Sequence, residues 1–219
     1  MTHKNTQHQA NKPPANVHLF APCSYTLYQY SMMPIRPGVS RLVITFRKLN
    51  QLFDNCHKGC VTDIFILHAW NQYFTGIDTL MRKETMHIKD QLSRYLKTTA
   101  DDVIPNYPKH HHIFRVNLAT QATKTYFKLL NQLDYLLCLL GIAYRNGLIS
   151  QRYLQNKEQH LMKVFFRLVG HIAQYRPQHK LQGNIDHQDK AFLTEALASK
   201  DMPVWETKTL QKLTALLRH

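Results

Sequence analysis

One stretch limits this chain's possible folds more than any other. "HIFRVNLATQATKTYF", His112 to Phe127, begins with strict alternation: Phe114, Val116 and Leu118 are apolar, Arg115 and Asn117 polar. It then switches to helical spacing. No other strand-like segment of this quality is present, and long helical patterns follow it. A solitary strand leaves its backbone donors and acceptors unpaired. Two copies pairing across a two-fold axis would solve this, each strand satisfying the other. Phe114, Val116 and Leu118 would then face the helices, and Arg115 and Asn117 would face solvent, twice over by symmetry. The alternative is pairing within the chain, with the β-branched "RLVITF" at 41–46, which leaves Arg115 and Asn117 as ordinary solvated positions.

The rest of the sequence reads as helices. Residues 40–55 carry both strand and helix signals, and the spacing of Phe46, Leu49, Leu52 and Phe53 favours helix, with Gly59 as its stop. A longer helix begins at Thr62 or Asp63 and continues toward Leu96. Tyr126, Leu129, Leu130, Leu133, Leu137, Leu140 and Tyr144 form a stripe on a helix over 121–145. Ser150 caps the next, over 151–175, and two shorter helices, 186–199 and 204–218, follow. The expected fold is therefore mostly α. It is a helical domain with one short strand, about 112–119, forming an intermolecular two-stranded ribbon in an extended ribbon-helix-helix-like arrangement. Three regions are expected. Residues 1–39, with five of the nine prolines, form a flexible basic arm, disordered over the first 16 residues and irregular or extended after them. Residues 40–179 form a single helical domain containing the ribbon-helix-helix-like unit at 112–176, and 180–219 form a helical appendage.

Charge narrows the function. The chain carries 28 Lys and Arg against 14 Asp and Glu, a net of +14. The excess is uneven: residues 121–180 hold nine basic and two acidic residues, whereas 181–219 hold five of each. A basic cluster on the hairpin that follows the strand points to a polyanionic partner. A two-stranded ribbon fits the DNA major groove, where Arg pairs with guanine and Asn with adenine. Arg115 and Asn117 are thus the expected base-reading residues. Lys124, Lys128, Ser150, Arg152 and Lys157 are the expected phosphate contacts, Ser150 through the helix N-terminus that it caps.

Other chemistry is poorly supported. "CHKGC" brings Cys56, His57 and Cys60 together, but zinc requires a second ligand pair at matching spacing, and "KHHH" at 109–112 would supply one only through the tertiary fold. The expectation is no metal and no cofactor. Asp101 and Asp102 stand without other acids nearby, and the sequence has no Gly-rich phosphate loop, nucleophile elbow or zinc-protease motif, so an enzyme is not expected. The longest apolar run, "LDYLLCLLGIAY", contains Asp134 and is too short for a membrane span. The expected setting is cytoplasmic with reduced cysteines, Cys138 being a buried thiol. The expected partners are double-stranded DNA and a second copy of the chain, with no membrane and no small-molecule ligand. A helical adaptor that binds another protein would use the same stripes without the basic cluster, and salt-sensitive DNA binding discriminates the two.

Two resemblances bear on this reading. The order of strand, helix, Gly-containing turn and second helix in "FRVNLAT…YRNGLISQRYL" resembles the ribbon-helix-helix fold of dimeric bacterial repressors, with a first helix of about 24 residues, longer than that family's usual one. Over about 65–178, "HAWNQYF", "LDYLLCLLGIAYRNGLIS", "VFFRL" and "QYR" resemble the AcaB-type family encoded on conjugative plasmids and integrating conjugative elements. That resemblance implies a DNA-binding transcriptional regulator of conjugation genes on a mobile element, with Arg115 and Asn117 as the residues carried over.

Overall fold

Apolar residues recurring every three to four positions can only be buried by helices packed side by side, and that is how most of the chain is organised. The computed structural model describes residues 15–21, 41–99, 112–176, 187–200, 202 and 207–218. In chain order these form β1 (Ala15–Leu19), α1 (Arg41–His57), α2 (Val61–Leu96), β2 (His112–Val116), α3 (Gln121–Arg145), α4 (Gln151–Gln174), α5 (His187–Ala198) and α6 (Thr207–Arg218).

Helix α3 is the centre of the bundle. A reciprocal cap starts it: the Thr123 N–H donates to the Thr120 hydroxyl oxygen, and the Thr120 N–H donates to that of Thr123. Leu129, Leu130, Leu133, Leu136, Leu137 and Leu140 are buried along it. Helix α1 runs antiparallel to α3, with Phe46 edge-on to Tyr126 at 5.0 Å and Asn50 beside Thr120 and Thr123. Helix α2 lies alongside α3 in the same direction, Asp78 near Lys128 and the Lys89 ammonium over the Tyr135 ring. Helix α4 returns antiparallel. Its Lys157 meets Glu84 of α2 at the start, and Tyr175, just past its end, meets Asn55 and Asp63. Helix α5 rests on α2, Phe192 packing edge-on against Phe65 and His68. Gly59 makes the tight turn from α1 to α2 with φ +83°, where a side chain would also press on Thr209 of α6.

Tyr126 is wholly enclosed, and its hydroxyl has no hydrogen-bond partner among the described residues. Desolvation pushes its pKa up. An unsatisfied buried hydroxyl costs stability while the ring supplies packing. Tyr126→Phe is therefore expected to leave the thermal midpoint unchanged or to raise stability by up to about 1 kcal/mol. Thermal and urea denaturation check this, and a clear loss would mean that a partner holds the hydroxyl.

The strand departs from the sequence expectation. β2 pairs antiparallel with β1 of the same chain, in the register Ala15↔Val116, Asn16↔Arg115, Val17↔Phe114, His18↔Ile113 and Leu19↔His112. The ribbon is intramolecular, so the intermolecular ribbon of an extended ribbon-helix-helix arrangement is overturned. The strand's partner is its own N-terminal segment, and a second copy is not required to satisfy it. The sequence alternative, pairing with "RLVITF", does not occur either, because residues 41–46 are the first turns of α1. The true partner, "ANVHL", is five residues long and follows Pro13-Pro14 in a stretch that read as disordered and then irregular. Ala15 and Asn16 belong to the strand, and residues 1–14 lie outside the described residues. β2 also ends at Val116 rather than near 119.

Candidate nucleic-acid interface

Residues directly opposite each other on an antiparallel ribbon share a face. On the inner face Val17, Leu19 and Val116 are buried in the common core. On the outer face Asn16 stands across from Arg115, and His18 across from Ile113. Asn16 and Arg115 are exposed, His18 is half-buried and Ile113 is 54% exposed. Arg115 has no carboxylate within ion-pair reach among the described residues. The sequence thus placed Arg115 on the correct face, outward from the helices. Asn16 and His18 were missed, and the only signal for them was the brief alternation in "ANVHL".

Two polar anchors hold this face in position. At the end of β1, Asp134 of α3 is 3% exposed and accepts hydrogen bonds from the backbone N–H groups of Phe20 (3.0 Å to each oxygen) and Ala21 (2.9 Å). At the exit of β2, the Asn50 side-chain amide of α1 donates to the Asn117 carbonyl at 3.2 Å. The Asn50 carbonyl oxygen accepts from the hydroxyls of Thr120 and Thr123 at 3.0 and 3.3 Å. Asn117 therefore lies one residue past β2 with its backbone held and its side chain exposed. Asp134 read in the sequence only as a charge interrupting an apolar run.

The five expected phosphate contacts do not form one cluster. Lys124 is exposed in the first turn of α3, close to the exit of the ribbon. Lys128, one turn further, is exposed but 3.8 Å from Asp78, which also accepts from Arg82. Ser150 caps α4, its hydroxyl accepting from the Tyr153 N–H at 3.2 Å, and Arg152 is exposed beside it. Lys157 is committed to Glu84 at 2.7 Å and lies over the Tyr153 ring. Ser150, Arg152 and Lys157 follow the C-terminal end of α3, a helix of 25 residues and so about 37 Å long. The structure collects Arg115, Asn117 and Lys124 at one end of α3 and Ser150 and Arg152 at the other, with Lys157 set back along α4 against Glu84 of α2.

The remaining candidate groups resolve as follows. Cys56, Cys60 and Cys138 are free thiols. Cys138 is half-buried rather than buried, and desolvation, with the nearby Asp134 charge, pushes it up to about 12. No group of three or more His, Cys, Asp or Glu among the described residues is placed to hold a metal ion. His110 and His111 of "KHHH" lie outside the described residues, as do Cys23, Asp101 and Asp102. No helix among the described residues is long and apolar enough to cross a membrane.

Comparison with known proteins gives a likeness of fold. No protein-family model matches the chain, and no curated protein matches it in sequence. Among solved structures, the chain is similar to the selenomethionine-containing crystal structure of AcaB from uropathogenic E. coli, with a TM-score of 0.53 and 12% identity. The match covers 93% of this chain and 97% of that one, so the likeness extends through the helical bundle and well beyond residues 65–178.

Proposed function

We propose that this chain is a sequence-specific DNA-binding transcriptional regulator that reads base edges with the outer face of its own β1–β2 ribbon. The observation that carries the reading is the exposed cross-strand pair of Asn16 and Arg115 on a two-stranded ribbon clamped to the bundle at both strand ends. A ribbon of this width enters the major groove. Arg115 supplies two parallel donors for guanine, and Asn16 and Asn117 each supply a donor and an acceptor for adenine. Ile113 adds an apolar contact suited to the thymine methyl group, and Lys124 adds a nearby charge for the phosphate backbone. The AcaB-type resemblance in the sequence, whose family is associated with transcriptional control of conjugation genes, points the same way. The likeness of fold to AcaB is consistent with it.

The test is fluorescence anisotropy across a salt series, with short duplexes cut from the region upstream of the chain's own gene and one scrambled duplex. One duplex is expected to bind at least ~1,000-fold tighter than the scramble. Arg115→Ala should weaken that duplex by roughly 10- to 100-fold and leave scrambled binding nearly unchanged. Lys124→Ala should weaken both alike and flatten the salt slope by about one. An Arg115→Ala variant that weakens both duplexes equally would exclude base reading by the ribbon. Absence of duplex binding even at low salt would favour a helical adaptor for a protein partner.

A further inference from the structure

Beside the ribbon, between β1 and α3, lies a groove of about 450 Å³ lined by Asn16, His18, Phe20, Phe127, Asn131 and Asp134. Its size falls within the range of small-ligand sites, roughly 300–1,000 Å³. The His18 and Phe20 rings stand side by side on one face of the strand, nearly parallel at 16° with centroids 6.1 Å apart. Phe127, half-buried on α3, faces them across the groove. Two exposed side-chain amides, Asn16 and Asn131, stand at its sides, each with a donor and an acceptor. Both oxygens of Asp134 are already directed at the backbone N–H groups of Phe20 and Ala21. Arg115 is the cross-strand partner of Asn16, one strand over from the groove, and its long side chain can span the width of a strand.

We propose that this groove takes a single nucleobase, with the adjoining phosphate on Arg115. The proposal deepens the DNA-binding reading and shares Arg115 with it, but its occupant differs in geometry. A flat ring with a hydrogen-bonding edge matches aromatic walls flanked by amides, and a phosphate matches the guanidinium fork. Bases in a paired duplex keep their faces inside the stack, so the occupant is either a free nucleotide or a base that has left the stack.

The experiment uses the full chain in two arms. Calorimetric titration with AMP, GMP, CMP and TMP, and with the four nucleosides, addresses a free nucleotide. Anisotropy with a duplex carrying one unpaired base, against its fully paired counterpart, addresses a base within a strand. The expected result is binding of at least one monophosphate, or a gain of roughly tenfold for the unpaired-base duplex. Asn131→Ala and the packing-conservative Phe127→Leu should reduce that signal severalfold and leave paired-duplex binding unchanged. Arg115→Ala should weaken a monophosphate but not its nucleoside. Monophosphate binding identifies a free nucleotide as the occupant, and a gain confined to the unpaired-base duplex identifies a base within a strand. If no monophosphate binds below about 10 mM, weaker than any useful site, and both duplexes bind equally, the groove proposal is overturned and duplex reading stands. If monophosphates bind and no duplex does, duplex reading is lost and the groove proposal stands.

Discussion

Asp134→Ala is expected to lower stability by about 2–4 kcal/mol and to release β1 from the bundle. The carboxylate accepts from the Ala21 N–H, a buried donor, and it also takes the Phe20 N–H. Alanine removes the acceptor from both donors and leaves the buried Ala21 N–H unsatisfied, which costs more than the hydrogen bond contributed. β2 then loses the strand that satisfies it, because no other strand among the described residues flanks it. Asp134→Asn should cost roughly 1 kcal/mol, since a single amide oxygen reaches both N–H groups as Oδ1 does now. Urea denaturation gives the two stabilities, and hydrogen exchange at Val17, Leu19 and Val116 reports the ribbon. If those amides stay protected in the alanine variant, Asp134 is not what holds β1. On the proposed function, the alanine variant also loses its preference among duplexes while keeping weak, salt-sensitive binding.

Tyr175→Phe should cost about 2 kcal/mol where the end of α4 meets α1 and α2. The Tyr175 hydroxyl donates to Asp63 at 2.8 Å and accepts from the Asn55 side chain at 3.2 Å, and Asp63 is fully buried in the first turn of α2. Removing one hydroxyl leaves a buried carboxylate short of a donor and a buried amide short of an acceptor. In a double-mutant cycle with Asp63→Ala, the double variant should lose less than the sum of the singles, because the carboxylate that needed the donor is gone. The same pair sets a pH dependence. Burial, then the bond to Asp63, raises the Tyr175 pKa above its ordinary value of 10.0. Unfolded tyrosine releases its proton near pH 10, and the folded side chain holds it, so this contribution is fully present below pH 10 and falls as pH climbs higher. Tyr175→Phe should therefore lose less stability than the wild type between pH 9 and 11. Part of the alkaline loss remains, because burial raises Tyr126 as well. Equal alkaline slopes in the two proteins would exclude Tyr175 as a contributor.

The helices were legible because their signals are long and redundant. α3 carries a dozen buried positions and a capping pair, and losing any one of them would not change the reading. α1 was legible for a related reason: Phe46, Leu49 and Leu52 repeat at helical spacing and outweigh the β-branched residues at its start. The ribbon was half legible. Alternation in "FRVNL" shows that Arg115 faces outward, but a strand's own residues say little about its partner, and "ANVHL" offers only Val17 and Leu19 as inward markers. Without that partner, symmetry was the economical solution, and the chain instead closes the ribbon on itself. The scatter of the phosphate candidates has a geometric cause. Sequence adjacency to the strand and hairpin suggested one site, yet a 25-residue helix carries Ser150 and Arg152 away from Arg115. Asp134 was not legible as an anchor because its partners are backbone groups more than one hundred positions away.

That separation has a consequence during synthesis. β1 leaves the ribosome first, and its partner strand follows about one hundred residues later, with Asp134 later still. At ~5–20 residues per second, β1 waits roughly 5–20 s with both edges open, while α1 and α2 have already been made. Codon choice across residues 20–112 thus sets how long a bare strand edge is offered to other nascent chains on the same message.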